Sequence, residues 1–254
     1  MDRRQRSETI CDDISRSDDQ RDLDQALLHI RARLGVDHAT FLGATAGGQV
    51  FSFISTYPKM WIEEYRRRNY LDVDPTVQLM DTALLPVDWG DLRRDGRADT
   101  AFFDDACSFG IGTQGISAPT RGPFGQRGLF TLTSSLATAE WEVLKASIIY
   151  DMPAISLHLH ERIFALTSEL KALQTQPLSR REKQCLQMLA GGKIPKQISA
   201  KLFISESAVR HYLQSAKRKL CAATTCEAVA RAGAHGIIYN LDFEFQATSV
   251  SRAY

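Results

Sequence analysis

Hydrophobic and polar positions recur with two different periods along this chain, and the changes of period mark out its elements. Between residues 20 and 34, Leu23, Leu27, Ile30 and Leu34 return every three or four residues, the spacing of one buried helix face. Residues 38–43 and 50–56 read as two strands, with Gly47-Gly48 as the turn between them. Helical patterns return over 58–69, over a short stretch at 76–83, and over 99–110, which stops at Gly110. Residues 112–119 and 127–135 read again as strands. A long apolar series follows: Trp141, Leu144, Ile148, Met152, Ile155, Leu159 and Ile163. Pro153 inside it should kink the helix or divide it. Helices and strands in this order predict a central antiparallel sheet with helices on both faces, an α/β/α sandwich over residues 1–167. The first twenty residues, MDRRQRSETICDDISRSDDQ, are charged throughout and lack the apolar core of a signal peptide. No element is assigned to them.

A polar stretch, TSELKALQTQP, ends in Pro177 and reads as a linker over 168–177. Beyond it the pattern is helical only. Ser179 and Glu182 form an S-x-x-E capping box, Cys185, Leu186 and Leu189 form an apolar face, and Gly191-Gly192 supplies a stop. A second helix runs from Pro195 to Phe203, with Ile198 and Leu202 facing inward. In the third, Ser205 is the expected N-cap, and Val209, Leu213, Ala216 and Leu220 make one buried face. A fourth starts at Thr224, again capped toward Glu227, and runs to about Ala234. The fold class is therefore α+β, a sandwich followed by an all-α four-helix domain at 178–240. The tail 241–254 suggests no reading.

Charge sharpens that division. The whole chain carries +1, but residues 177–240 hold 11 Lys and Arg against 3 acids, a net of +8, whereas residues 1–176 are net −6. An acidic large part joined to a small basic part suggests that the small part meets a polyanion. Four short helices with a basic third one suggest a helix-turn-helix. Arg210 is suited to guanine and Gln214 to adenine, while Lys193, Lys196, Lys201, Lys217 and Arg218 suit phosphates. Ser207 and His211 complete the candidate DNA-binding set. From charge alone, a solvated basic helix in a small bundle is an equal alternative.

Other features narrow the function. The five cysteines are scattered and include no C-x-x-C, so neither a disulfide framework nor a zinc site is expected, and a reduced, cytoplasmic setting fits. No apolar run approaches membrane-spanning length. The chain has no G-x-S-x-G, H-E-x-x-H or Walker A motif. His158-x-His160 spaces poorly for a shared helix face and reads as two half-exposed structural histidines. In TYPKMWIEEYRRRNYLDVDP, Tyr57, Trp61 and Tyr65 lie four apart, one aromatic stripe on a helix, and Asp74 precedes Pro75. Taken alone, the stripe is more often core and Asp74 more often a turn-former.

Two resemblances shift these readings. LSRREKQCLQMLAGGK and ISESAVRHYLQSAKRKL resemble the C-terminal domain of LuxR-type transcriptional regulators, with Glu182, Leu186 and Gly192 on signature positions. Pro195 and the aromatic pair His211-Tyr212 depart from the usual pattern. Tyr57, Trp61, Tyr65, Asp74, Pro75, Trp89 and Gly115 resemble the landmarks of the autoinducer-binding domain of LuxR-type quorum-sensing receptors, with NYLDVDPTV and FFDDACSFGI adding to the match. The resemblance implies an N-acyl homoserine lactone as ligand. By analogy the Trp61 indole donates to the lactone carbonyl, Asp74 accepts from the amide N–H, and the Tyr57 hydroxyl donates to the acyl carbonyl. Thr131 assists there, Ser117 is a further polar lining position, Trp89 packs on the lactone ring and Tyr65 on the chain. GIGTQGISAP is one residue longer before Gly115 than typical members, an insertion expected near the acyl end. The resemblance also implies a homodimer formed through 140–165, a two-fold DNA operator, and no metal or redox cofactor, and it admits RNA polymerase as a further partner. The alternatives are an orphan regulator answering another small molecule or none, and an enzyme domain joined to a DNA anchor. The missing nucleophile and metal constellations weigh against the second.

Overall fold

The computed structural model describes residues 3–45, 47–94, 100–122, 125–167, 177–234 and 236–238. The chain forms two compact units, Met1–Lys171 and Ala172–Tyr254. The linker expected at 168–177 falls outside the described residues except for Pro177, and the 241–254 tail lies outside them entirely.

The first unit is built on a five-stranded antiparallel sheet of order β2-β1-β5-β4-β3. Its strands are β1 (His38–Ala44), β2 (Val50–Ser55), β3 (Val87–Asp88), β4 (Gln114–Arg121) and β5 (Arg127–Ser134). Side chains alternate across a strand, so each strand serves both faces. Ala39 and Phe41 of β1, Ile116 and Ala118 of β4, and Phe130 and Leu132 of β5 form one buried face. Against it pack α1 (Arg3–Ser15), α2 (Gln20–Leu34), α7 (Thr138–Ile148) and α8 (Met152–Leu166). On the other face lie α3 (Lys59–Arg67), α4 (Leu79–Thr82), α5 (Trp89–Arg94) and α6 (Thr100–Ser108), which bring in Trp61, Met80, Trp89 and Phe102. This is the expected sandwich.

Local chemistry explains several boundaries. Asp19 caps α2 by accepting from the N–H groups of Arg21 and Asp22, and Gly35 ends it in the left-handed region at φ 67°. The apolar series after residue 138 is divided, as Pro153 predicted: α7 ends at Ile148 and the proline sits in the first turn of α8. The charged N-terminus does form an element. Ile10 and Ile14 of α1 are buried, and Arg6 donates to the Ser147 carbonyl at 2.8 Å and to Asp151 at 3.3 Å. Two isoleucines among charges give little periodic signal; partners on α2 and α8 supply the rest.

The expectation of two half-exposed histidines is corrected for one of them. His158 is half-buried and meets Ser15 at 3.2 Å, whereas His160 is 1% exposed. Its ring lies over Gly122 and Gly128, where any added Cβ would strike it. Burial lowers its pKa to about 4.

The second unit holds α9 (Arg180–Ala190), α10 (Pro195–Leu202), α11 (Glu206–Lys219) and α12 (Thr225–Ala234) around Cys185, Leu186, Ile198, Val209, Leu213 and Ala216. The Ser179–Glu182 capping box forms, with bonds of 3.2 and 2.6 Å. Burial works to raise the Glu182 pKa, but bonds from Lys219 and the Ser179 N–H outweigh it and bring the carboxyl down to about 2.

Candidate functional site

The aromatic stripe does not close into solid core. A cavity of about 350 Å³ lies between the sheet and the helices of the second face. Tyr57, Trp61 and Tyr65 wall it from the α3 side, Thr40, Leu42, Leu129 and Thr131 from the sheet, and Trp89 from α5. That size suits a small organic ligand.

Trp61 is held from behind. It stacks on Tyr70, with centroids 5.6 Å apart and planes at 29°, and touches Phe102 and Phe109. Its indole N–H makes no hydrogen bond among the described residues. Asp74 forms the turn weighed for it and also lines the cavity. Its Oδ1 accepts from the N–H and the hydroxyl of Thr76, each at 2.7 Å, which makes the turn at Pro75. Its Oδ2 accepts from the Tyr65 hydroxyl at 2.9 Å, on the cavity wall. Burial pushes the Asp74 carboxyl up from its ordinary value, against the bonds from Thr76 and Tyr65. Burial, then the Asp74 charge, raises the pKa of both Tyr57 and Tyr65, so their hydroxyls remain donors.

A chain of bonds sets the far wall. Trp141 Nε1 and Lys145 Nζ each reach Asp88 Oδ2 at 3.0 Å and fasten β3. Trp89 follows directly, and its Nε1 donates to Ser117 Oγ at 3.1 Å; Ser117 and Thr131 share a bond of 2.9 Å. Gly115 lies flat under the Trp89 ring, where a Cβ would come within 2.3 Å of it. The segment before Gly115 also carries the Gly110 carbonyl that His38 meets at 3.0 Å.

Of the nine residues expected around a ligand, Tyr57, Trp61, Tyr65, Asp74, Trp89 and Thr131 line the cavity. Pro75, Gly115 and Ser117 do not; each stands one layer behind it. Pro75 is buried beside the Asp74 turn, Gly115 makes room for Trp89, and Ser117 is consumed by Trp89 and Thr131. Sequence reasoning missed Thr40, Thr76 and Arg66. Only Thr76 had a local signal, the D-P-T spacing that lets an Asp accept from the N–H two residues on.

In the second unit, Ser207, Arg210, His211, Gln214 and Arg218 are exposed and Lys217 is half-buried, together the polar side of α11 opposite Val209, Leu213 and Ala216. Among the described residues the Arg210 side chain has only an exposed contact with Glu206, at 3.4 Å. Lys196 is exposed and Lys193 half-buried. This polar face can offer donors to base edges and phosphates. Among the described residues no group of three His, Cys, Asp or Glu side chains could hold a metal, and no helix is long and apolar enough to cross a membrane.

Comparison with known proteins agrees with both units. The family model "Autoinducer binding domain" matches residues 19–163, and "Bacterial regulatory proteins, luxR family" matches residues 176–232. The transcriptional activator protein RaiR of Rhizobium etli is 45% identical over 68% of this chain and 71% of its own. The quorum-sensing regulator RhlR of Pseudomonas aeruginosa is 32% identical over 72% of this chain and 74% of its own. The structure of SdiA in complex with octanoyl-rac-glycerol shares the fold, with a TM-score of 0.76 at 20% identity over 93% of this chain and 97% of that one.

Proposed function

This chain belongs to the LuxR family of quorum-sensing transcriptional regulators with an autoinducer-binding domain, and from that premise we propose that its ligand is an N-acyl homoserine lactone held in the cavity. The observation that carries the reading is the juxtaposition of the unbonded Trp61 N–H with the buried Asp74 carboxylate on one cavity wall. An acyl homoserine lactone has one N–H and two carbonyl groups to satisfy once buried. Trp61 donates to the lactone carbonyl. Asp74 Oδ2 accepts from the amide N–H, a charged acceptor being stronger than a neutral one. The Tyr57 hydroxyl donates to the acyl carbonyl with help from Thr131, Trp89 packs on the ring, and Tyr65 orients Asp74 besides touching the chain. In this pose the extra residue before Gly115 lies by the head group, not by the acyl end.

Binding stabilises the folded receptor by mass action. Two copies pair through residues 140–165 and present two basic modules to a two-fold operator. Arg210 and Gln214 read base edges, Ser207 and His211 support them, and Lys193, Lys196, Lys217 and Arg218 hold phosphates. The protein works in the cytoplasm, with RNA polymerase as a further partner and no metal or redox cofactor.

A second reading keeps the fold and changes the ligand. The octanoyl-glycerol bound to SdiA has an ester and hydroxyls in place of an amide. Asp74 would then accept from a hydroxyl.

The test is the melting temperature of wild type, Asp74→Ala and Trp61→Phe with a panel of acyl homoserine lactones and octanoyl glycerol. At a hundred times its dissociation constant a true ligand adds about 2.7 kcal/mol, a rise of roughly 5–10 °C. Wild type should show it with a lactone and Asp74→Ala should not. Trp61→Phe, which keeps the ring and loses the N–H, should bind roughly tenfold more weakly. A rise with octanoyl glycerol alone favours the second reading. No rise with any lactone overturns the first.

A further inference from the structure

The cavity has a second polar end. Its floor crosses the sheet obliquely, from Trp89 beside β4 to Val50 and Phe53 on the edge strand β2. Three inter-strand steps of about 4.8 Å make that span roughly 14 Å. Val50 and Phe53 are 36% and 42% exposed, so the edge is where solvent reaches the lining. α3 adds Ile62 and Arg66 to the lining, one turn apart and one residue out of phase with the aromatics, and Asn69 follows just beyond the helix.

Arg66 differs from its two neighbours. Arg67 and Arg68 both bond the Glu64 carboxylate, at 2.6 and 2.5 Å, and Arg68 also reaches Asp105 at 2.7 Å. The Arg66 side chain has no ion pair or hydrogen bond among the described residues, and it lines the cavity. Asn69 has its side-chain amide committed to Asp72. Arg66 is exposed as Val50 and Phe53 are, which puts it on the solvent side of the cavity, and among the described residues its guanidinium is an unpaired donor that can only donate. A ligand that fills the inner end with its head group sends its tail toward Arg66.

We infer that Arg66 reads the distal end of the ligand, and that the favoured acyl group carries an oxygen acceptor there, a carboxylate above all, in place of a bare methyl. This rests on the acyl homoserine lactone reading of the inner end and adds the chemistry of the outer one. The rim is open to water, so the preference is modest and salt-sensitive.

The experiment measures the affinities of the full-length protein for methyl-ended, ω-carboxy and ω-amino acyl homoserine lactones, matched in length from hexanoyl to dodecanoyl. Wild type, Arg66→Gln and Arg66→Glu are compared. At the length that reaches the rim, wild type should bind the ω-carboxylate roughly threefold to tenfold tighter than the methyl-ended ligand. Arg66→Gln should bring that ratio near one, and Arg66→Glu should turn the preference to the ω-amine, with the affinity of each variant for the methyl-ended ligand of the same length as its own reference. If both ligands bind and their ratio is the same in all three proteins at every length, the outer subsite is overturned while the head-group reading stands. If no lactone binds wild type, both fall together.

Discussion

Phe130 and Thr131 are neighbours on one strand and belong to different proteins in all but name. Phe130 points into the face covered by α1, α2, α7 and α8, where it is 0% exposed among Ile116, Leu132, Ile155 and Leu159. Thr131 points the other way, into the cavity, with its hydroxyl on Ser117. The packed face is filled by branched and aromatic side chains and holds the sheet together. The cavity face uses Thr40, Thr131 and a ring of aromatics that leave space between them. One sheet thus separates stability from recognition by the alternation of its side chains.

The largest expected effect lies on the packed face. Phe130→Ala should cost about 3–5 kcal/mol of stability by chemical denaturation, through lost burial and the cavity left behind. That cost should be the same with and without ligand; a cost that ligand relieves would break the division of labour. Next is His160, the polar exception on that face. Among the described residues its Nδ1 has no partner, and its Nε2 meets Gln126 at 3.3 Å. With its pKa depressed from 6.5 to about 4, the folded state excludes a proton that the unfolded chain takes up between those values. The His160 contribution is therefore full above pH 6.5 and is lost as pH falls toward 4, by about 3 kcal/mol at most. His160→Gln should flatten that part of the stability profile relative to wild type; parallel profiles would refute it. The smallest effect is on the cavity face. Thr131→Val keeps the shape and removes one bond, so it should cost about 1 kcal/mol of stability. Ligand affinity should fall several-fold, read by the same titrations, which would sharpen the contrast with Phe130→Ala.

Legibility followed the range of the interactions. The four helices of the second unit could be read almost residue by residue, because Ser179 to Glu182, Ser205 to Ala208 and Thr224 to Glu227 are caps closed within three residues. The aromatic stripe was equally plain, with Trp61 and Tyr65 on α3 and Tyr57 just before its cap. Its use was not, because core and cavity wall have the same periodicity; the difference is empty space opposite it. Helix α1 was missed because its two isoleucines matter only once α2 and α8 pack against them. His160 was misjudged because its burial comes from Gly122 and Gly128, more than thirty residues upstream.

The sequence by itself determined the order of the elements, the sandwich and the four-helix unit, the acidic and basic halves, and the resemblance that named the family. These follow from periodicity, caps and charge, which act within a turn or two of chain. Only the tertiary structure decided that Asp74 spends one oxygen on its own turn and turns the other to Tyr65, that Ser117 serves Trp89 behind the cavity wall, and that Arg66 of the three arginines lines the cavity with no carboxylate partner among the described residues. Each of these depends on which donors remain unsatisfied once distant strands and helices meet, and hydrogen-bond satisfaction is a property of the packed molecule.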